Sequence, residues 1–547
     1  MAEGTEWTVM FFFAGDNALS PLIVSQVKAI KDAGFQEHTN VLVHFDSNAK
    51  GAPTRLYEVN RERKKDPELP NTMIGDGNDP YVRNMVEDNI DPVEIDTDAG
   101  PASAAIRQAL QRPDTVNAKD ALTNFIGFCR ENYRAKHYLL FLVGHGLIVG
   151  NDTFLPDDVP ESAITLKEFE VILRDFSQQA RKEGSAFEML ALHSCSMNAI
   201  EVAYQLKGTA NYMMASEGTT YVGSWPYRQL MKKLFNTVQS VKPEARKSSS
   251  YVPTLMSKLY YLTLFNATDY MLSGYSLDLS LCNLAEEKFD GLKKPFQNLV
   301  ARLRQALSNE RGKELIQLAH LESQSYWQED YTDLYDFCVC LRRRCDEANT
   351  LQKDIIEACD GVIGKKDEKA NPFDALVVHS DNFGSKYQYS HGLSIYFPWS
   401  EPTDDEPILV RSAAAQDAPQ QRPQEEAPNS IMGKYEQYAF TTDFGENSWF
   451  SFLKDYFKKT KRTSRADEGG GGFMIENFVP IVFNPFGALG PGGSKETGSY
   501  SKETGGYGAG CACPSIKNYP TVEVQIKGKE KKVRAPSITE GLFKAFE

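Results

Sequence analysis

Short runs of apolar, β-prone residues recur through the first four hundred positions, and each stops at a small or polar cluster. Trp7 to Phe13 is nearly all apolar and ends at Ala14-Gly15-Asp16-Asn17. A strand with no polar face must be covered on both sides, which is the condition of an inner strand in a parallel sheet. Asn40 to Phe45, His137 to Val143, Phe187 to Leu192 and Tyr212 to Ser216 repeat the pattern, and Thr54 to Val59 reads as an edge strand. Helical spacing fills the gaps. Ser20 can cap a helix with Pro21 at its first position, followed by Ile23, Val24, Val27 and Ile30. Ala118 to Asn132, Thr165 to Lys182 and Asn198 to Lys207 are further helices. Strand and helix in alternation predict an α/β fold whose central sheet is mostly parallel, joined by right-handed crossovers.

Past residue 220 the spacing predicts helices over 283–307 and 332–359, then strands at Ala375 to His379 and Leu393 to Phe397. Residues 1–400 therefore form the main body. Residues 401–430, rich in Ala, Pro, Gln and Glu, read as a flexible insertion, and 431–457 as a helical segment packing back on the body. Residues 458–520 form a Gly-rich linker in which the heptapeptide beginning at Ser494 repeats from Ser501. In the final segment, 521–547, Val522, Val524 and Ile526 alternate as a strand does, and Leu542, Phe543 and Phe546 add apolar anchors. That segment is expected to dock or regulate.

With 41% hydrophobic and 24% charged residues over 547 positions, wholesale disorder is excluded. The net charge of −14 argues against nucleic-acid binding by bulk charge. No run approaches the length of a membrane-spanning helix. The acidic first residues do not resemble a secretory signal, so a cytoplasmic location is expected. Nine cysteines are too few for a disulfide scaffold. Cys338, Cys340, Cys345 and Cys359 fall in a helical stretch without paired Cys-x-x-Cys spacing, so buried thiols are expected there rather than zinc. Cys511 and Cys513, in the Gly-rich tail, carry only a weak metal or redox signal.

Two strand ends carry the chemistry. His137 to Val143 runs into Gly144-His145-Gly146, and Phe187 to Leu192 runs into His193-Ser194-Cys195. Ligands of open parallel sheets bind outside the carboxyl ends of the strands, so His145 and Cys195 are expected to face one crevice. Cysteine attacks carbonyls as the thiolate, and an adjacent imidazole supplies the base or the ion-pair partner. Asn198 as helix cap, with Glu201 three residues on, would set a positive helix end near the sulfur. The N–H groups of Gly146 and Cys195 are candidates for an oxyanion hole. Either residue alone is more often structural; their coincidence at strand ends brings the catalytic reading level with the structural one.

The chain also resembles the clostripain family of cysteine peptidases, related in fold to caspases, legumains, gingipains and separase. The resemblance rests on Trp7-Thr8-Val9-Met10 with Ala14-Gly15-Asp16-Asn17, on Gly144-His145-Gly146, and on Ser194-Cys195-Ser196-Met197 leading to Ile200-Glu201-Val202-Ala203-Tyr204. Ala215-Ser216-Glu217 with Trp225-Pro226-Tyr227, Tyr331 to Phe337 and Gly392 to Pro398 follow in order, and Trp449 and Phe452 extend it to about residue 457. It implies a caspase-like three-layer α/β sandwich with a C-terminal appendage. It also implies a His145–Cys195 dyad that hydrolyses peptide bonds through an acyl-thioester, with His145 in acid/base duty.

Many such enzymes carry an acidic residue two before the nucleophile, where it pairs with substrate Arg or Lys. His193 stands there in this chain. Selectivity for basic residues is therefore in doubt unless Asp16, Asp46 or Glu217 enters the pocket. His193 points to a neutral or acidic residue on the acyl side, or is simply a hydrogen-bonded structural histidine. Relatives are often zymogens cut in loops, and 401–430 and 458–465 are the accessible candidates. No cofactor is expected. Calcium, which some relatives use, is the alternative, although Asp91, Asp96 and Asp98 lack EF-hand spacing. The expected partners are a protein or peptide substrate and a regulatory protein at the C-terminal segment. The expected role is regulated proteolysis, such as a bacterial defence or cell-death effector. A silent caspase-like scaffold and thiol-based transpeptidation are the competing readings.

Overall fold

The computed structural model describes residues 5–17, 19–34, 36–46, 55–58, 116–146, 152–158, 160–266, 275–326, 329–365, 371–402, 431–460, 521–526 and 529–534. The expected apolar runs are strands: β1 (Trp7–Phe13), β2 (Thr39–Phe45), β4 (His137–Val143), β7 (Ala186–His193) and β8 (Tyr212–Ala215), with β3 (Arg55–Glu58) at one edge. Several strands escaped the sequence pattern. β5 (Phe154–Asp158) and β6 (Glu161–Ile164) form a separate hairpin. β9 (Leu277–Asn283) went unpredicted although Leu277, Leu279 and Leu281 alternate with polar residues. β12 (Val377–Phe383) begins only after a helical turn over Pro372–Leu376.

The main sheet has eight strands in the order β12-β9-β8-β7-β4-β1-β2-β3. The inner strands β2, β1, β4, β7 and β8 run parallel, while β3, β9 and β12 pair antiparallel. Alternate residues of each inner strand enter opposite cores. Met10, Phe12, Leu140, Leu142, Leu190 and Leu192 face a core shared with helices Ala118–Asn132, Leu166–Lys182 and Glu286–Ala306. Phe11, Phe13, Phe141, Val143, Met189 and Ala191 face a second core, with helices Ser20–Lys31, Tyr227–Ser240 and Tyr251–Asn266. Helix, sheet and helix make the expected three layers.

The helix predicted over 332–359 is two, Leu334–Arg344 and Thr350–Ile363. Each has its own polar cap: Asp333 accepts from the Asp336 N–H, and Asn349 from the Gln352 N–H. Tyr331–Asp333 is strand β11, paired with β10 (Ser325–Tyr326) and β13 (Ser394–Tyr396) in a small sheet of its own. Helices Ile431–Glu436 and Trp449–Thr460 pack back on this part of the body. The Trp449 indole N–H donates to the Tyr396 carbonyl at 2.7 Å. The tail contributes a hairpin, β14 (Thr521–Ile526) and β15 (Lys529–Arg534), in agreement with the alternation at Val522. The excursion with Asp91, Asp96 and Asp98, the insertion at 403–430 and the linker with Cys511 and Cys513 lie outside the described residues. No described helix is long and apolar enough to cross a membrane.

Candidate active site

β4 and β7 are neighbours, and their last residues, Val143 and His193, are register partners. His145 and Cys195 each follow two positions later. Parallel neighbours lie about 4.8 Å apart, so the two loops leave the sheet side by side at its carboxyl edge. They touch directly. A Cβ at Gly146 would overlap the Cys195 carbonyl oxygen and stand 3.0 Å from the Cys195 nitrogen, so only glycine allows the histidine loop this close.

Burial defines the state of each group. The His145 Nδ1 is buried with no hydrogen-bond partner among the described residues. Loss of solvent lowers the imidazole pKa to about 4, so it is neutral near pH 7. Cys195 is 2% exposed. The Thr220 N–H donates to its sulfur at 3.2 Å, and the Thr220 carbonyl stands 3.6 Å away as an acceptor for the thiol proton. The nucleophile candidate thus lies under the segment that follows β8. Further bonds bind the Cys195 loop to that segment: Ser196 N–H to the Gly218 carbonyl and Asn198 N–H to the Ser216 carbonyl, both at 3.0 Å. Ser196 sits at φ 55°, a left-handed conformation that costs a non-glycine residue free energy and persists only under such constraint.

The expected capping box at Asn198 does not form. The helix runs from Ile200 to Gln205 behind Ala199, which offers no side-chain cap. Asn198 instead donates its amide to the Gly392 carbonyl. Glu201 accepts from the Tyr396 N–H at 2.9 Å and the Tyr435 hydroxyl at 2.7 Å. Both side chains are claimed by β13 and the 431–436 helix, so the donor at the sulfur is Thr220 rather than a helix end. The second Glu201 oxygen is buried without a partner among the described residues, and burial pushes the pKa up to about 7. Between pH 4.5 and 7 the folded state therefore holds a proton that the unfolded chain has lost, and stability should fall as pH rises through that window. The full effect is about 3 kcal/mol. Glu201→Gln should flatten this slope. Urea midpoints at pH 5 and 7.5 for both proteins measure it, and an unchanged pH dependence would refute a protonated Glu201.

The four specificity candidates are placed differently. Asp16 and Asp46 follow β1 and β2 and are half-buried. His193 is fully buried and stacks on Trp225 at 4.5 Å. Its Nε2–H donates to the Tyr221 carbonyl at 2.8 Å, since a carbonyl only accepts, and Nδ1 accepts from the Tyr227 hydroxyl at 2.5 Å. Burial lowers its pKa to about 3. These are the surroundings of a neutral, hydrogen-bonded structural histidine. Glu217, also fully buried, accepts the Gly392 N–H at 2.9 Å. Burial, then the nearby Asp333 and Asp278, raise its pKa well above the usual carboxylate range. A buried acid held toward its neutral form is no counter-charge for a guanidinium.

Sequence reasoning missed Thr220 and Asp278. Asp278 accepts the Glu217 and Gly218 N–H groups at 2.6 and 2.9 Å. It thereby fixes the turn that carries Thr220 to the sulfur. The inward polar residue between Leu277 and Leu279 was the available signal. The helix cysteines are free thiols: Cys338, Cys340 and Cys359 are buried and Cys345 is half-buried. No cluster of three or more His, Cys, Asp or Glu among the described residues could hold a metal.

Comparison with known proteins follows the same lines. No curated protein matches the chain. Among solved structures, an inactive zymogen C11 protease from Parabacteroides distasonis is 19% identical, with a TM-score of 0.41, over 73% of this chain and 93% of that one. A secreted C11 cysteine protease from Bacteroides thetaiotaomicron, bound to an irreversible peptide inhibitor, is 15% identical, with a TM-score of 0.44, over 73% and 94%. The sequence model of the clostripain family matches residues 11–455, a span that takes in both strand-end loops and the helices returning to the body. By that match the chain belongs to the clostripain family of cysteine peptidases.

Proposed function

We propose that Cys195 is the nucleophile and His145 its acid/base partner in hydrolysis of peptide bonds. The observation that carries this reading is the β4–β7 register, which sets both residues two positions beyond paired strand ends. In the forward step the Cys195 sulfur attacks the substrate carbonyl carbon, and its proton passes to the neutral imidazole. The carbonyl oxygen takes up negative charge, for which the Cys195 and Gly146 N–H groups are the candidate donors. The tetrahedral species collapses as the C–N bond breaks, and the imidazolium gives its proton to the departing amine. Water then attacks the thioester, His145 takes one of its protons, and the carboxylic acid leaves as the thiol is restored.

The covered sulfur supports a regulated enzyme. At 2% exposure Cys195 cannot meet a substrate until residues around Thr220 shift, which fits a zymogen awaiting activation. Cleavage of a protein partner under such control is the finer reading.

The pH profile tests the role of His145. Since its pKa is lowered to about 4, kcat/KM should stay level from about pH 6 to 7.5 and fall about tenfold per unit below pH 4. Peptide cleavage by the activated enzyme, with circular dichroism to exclude unfolding, gives the measurement. An unaltered rate and profile in His145→Gln would defeat the assignment.

A further inference from the structure

The turn that covers the sulfur, residues 216–220, is pinned along its length. Its Thr220 N–H donates to Cys195, its Gly218 carbonyl accepts from Ser196, and its Thr219 N–H donates to the Tyr387 hydroxyl at 3.1 Å. The Glu217 and Gly218 N–H groups donate to Asp278. Tyr387 leaves the turn no slack, since a Cβ at Gly218 would stand 2.5 Å from its ring.

The same turn sets a carboxyl group among two others. Glu217 accepts the Gly392 N–H at 2.9 Å, and Asp333 accepts the amide before it, that of His391, at 2.5 Å. Asp278 reaches the Glu217 backbone from β9. All three side chains are buried, and their donors are shared unevenly. Asp278 receives two backbone N–H groups. Asp333 receives those of Asp336 and His391 and stands 3.4 Å from the His391 ring. One Glu217 oxygen holds Gly392, and the other is buried without a hydrogen-bond partner among the described residues. Tyr326 also faces it, with its hydroxyl donated to Ser390 at 2.6 Å. The Cys282 thiol, kept uncharged by burial, and the Asp336 carboxylate, which accepts the Gln324 N–H, lie around the cluster.

We propose that Glu217 is a proton-operated latch on the cover. Protonated, it rests beside Asp333 and Asp278 and keeps Thr220 over the sulfur; ionised, it is repelled by both and draws the turn into solvent, uncovering Cys195. The proposal rests on Cys195 being the nucleophile, and it adds the group whose charge releases that residue in the unactivated enzyme. Glu217 is the member able to leave. Asp333 caps the helix Leu334–Arg344 and Asp278 lies within β9, whereas Glu217 sits in a turn outside any helix or strand. An ionised carboxylate with one donor beside two others is far less stable buried than in water. The closed form therefore holds a proton that the open form releases to water in the ordinary carboxylate range. Opening is then favoured as pH rises, by up to about tenfold per unit.

The test compares the parent protein with Glu217→Gln, whose neutral amide keeps the Gly392 bond and offers donors to the neighbouring carboxylates. Initial rates of Cys195 alkylation by iodoacetamide are measured on the intact, unactivated full-length proteins from about pH 6 to 8, by mass spectrometry of the Cys195 peptide. Ionisation of the thiol is common to both and cancels in the ratio. The rate of the parent over that of Glu217→Gln is expected to rise at least about tenfold across that range. Hydrogen exchange on the parent gives a second measure that needs no variant. Protection of the 217–220 amides, corrected for intrinsic rate, should fall over the same range while that of β7 holds. A level ratio in a folded Glu217→Gln protein, or level protection of the turn, overturns the latch and leaves the nucleophile standing. Peptide hydrolysis that survives in Cys195→Ala overturns the nucleophile, and the latch with it.

Discussion

Cys195→Ala is expected to lower peptide hydrolysis by at least about 1,000-fold while the fold survives. The change removes the one atom that can form the thioester, and no neighbouring group replaces it: Ser194 and Ser196 belong to the same loop, and Ser196 is held at φ 55° by its bond to Gly218. The structural cost is limited. The thiol occupies a small volume, and the loss leaves the Thr220 N–H without its sulfur acceptor, worth about 1 kcal/mol. His145→Ala should cost a comparable factor, and the double variant little more than either alone, because the two act in one proton transfer. Initial rates on a cleavable peptide, alongside thermal melts of all three proteins, measure the cycle. Additive losses would mean that His145 and Cys195 work independently, and retained turnover in Cys195→Ala would end the hydrolase mechanism proposed here.

The largest effect on stability is expected far from that site, at Trp449→Ala. Trp449 is fully buried at the start of the helix Trp449–Thr460. Its ring lies 4.6 Å from Phe452, 5.2 Å from Phe397 and 6.0 Å from Phe296. Its N–H holds the Tyr396 carbonyl. Truncation opens a large cavity and orphans a buried carbonyl, at a cost of about 3–5 kcal/mol. That is a large share of the 5–15 kcal/mol typical of a domain. Trp449→Phe keeps most of the ring and gives up chiefly the hydrogen bond, and should cost about 1–2 kcal/mol. Denaturant midpoints followed by intrinsic fluorescence and by circular dichroism separate the variants. The effect should also reach the candidate site, because the Tyr396 N–H bonds Glu201 on the helix just past Cys195. A Trp449→Ala protein as stable as the parent would mean that the 431–460 segment is not integral to the body.

Much of the sheet was legible in the chain. β4 and the helix Ala118–Asn132 begin and end where the apolar runs and helical spacing put them. A strand covered on both faces carries few polar residues, so a run of apolar ones marks its extent. The placement of His145 and Cys195 at those ends was legible for the same reason. β9 was harder. It lies second from the sheet edge and alternates leucine with polar residues, one of which, Asp278, points inward to bind a turn. An inward aspartate breaks the pattern that identifies a buried strand.

The local order of residues determined the α/β alternation, the two strand-end loops and the glycine that lets them meet, because these depend on neighbours a few positions apart. Tertiary structure alone decided what those loops meet. Asn198 and Glu201 carry the spacing of a helix cap, yet partners nearly two hundred residues away claim both side chains. His193 occupies the position of a specificity residue, yet Tyr221, Trp225 and Tyr227 enclose it and burial keeps it uncharged. A buried polar group bonds to whichever partner the packed chain brings within reach, and that partner has no fixed distance along the sequence.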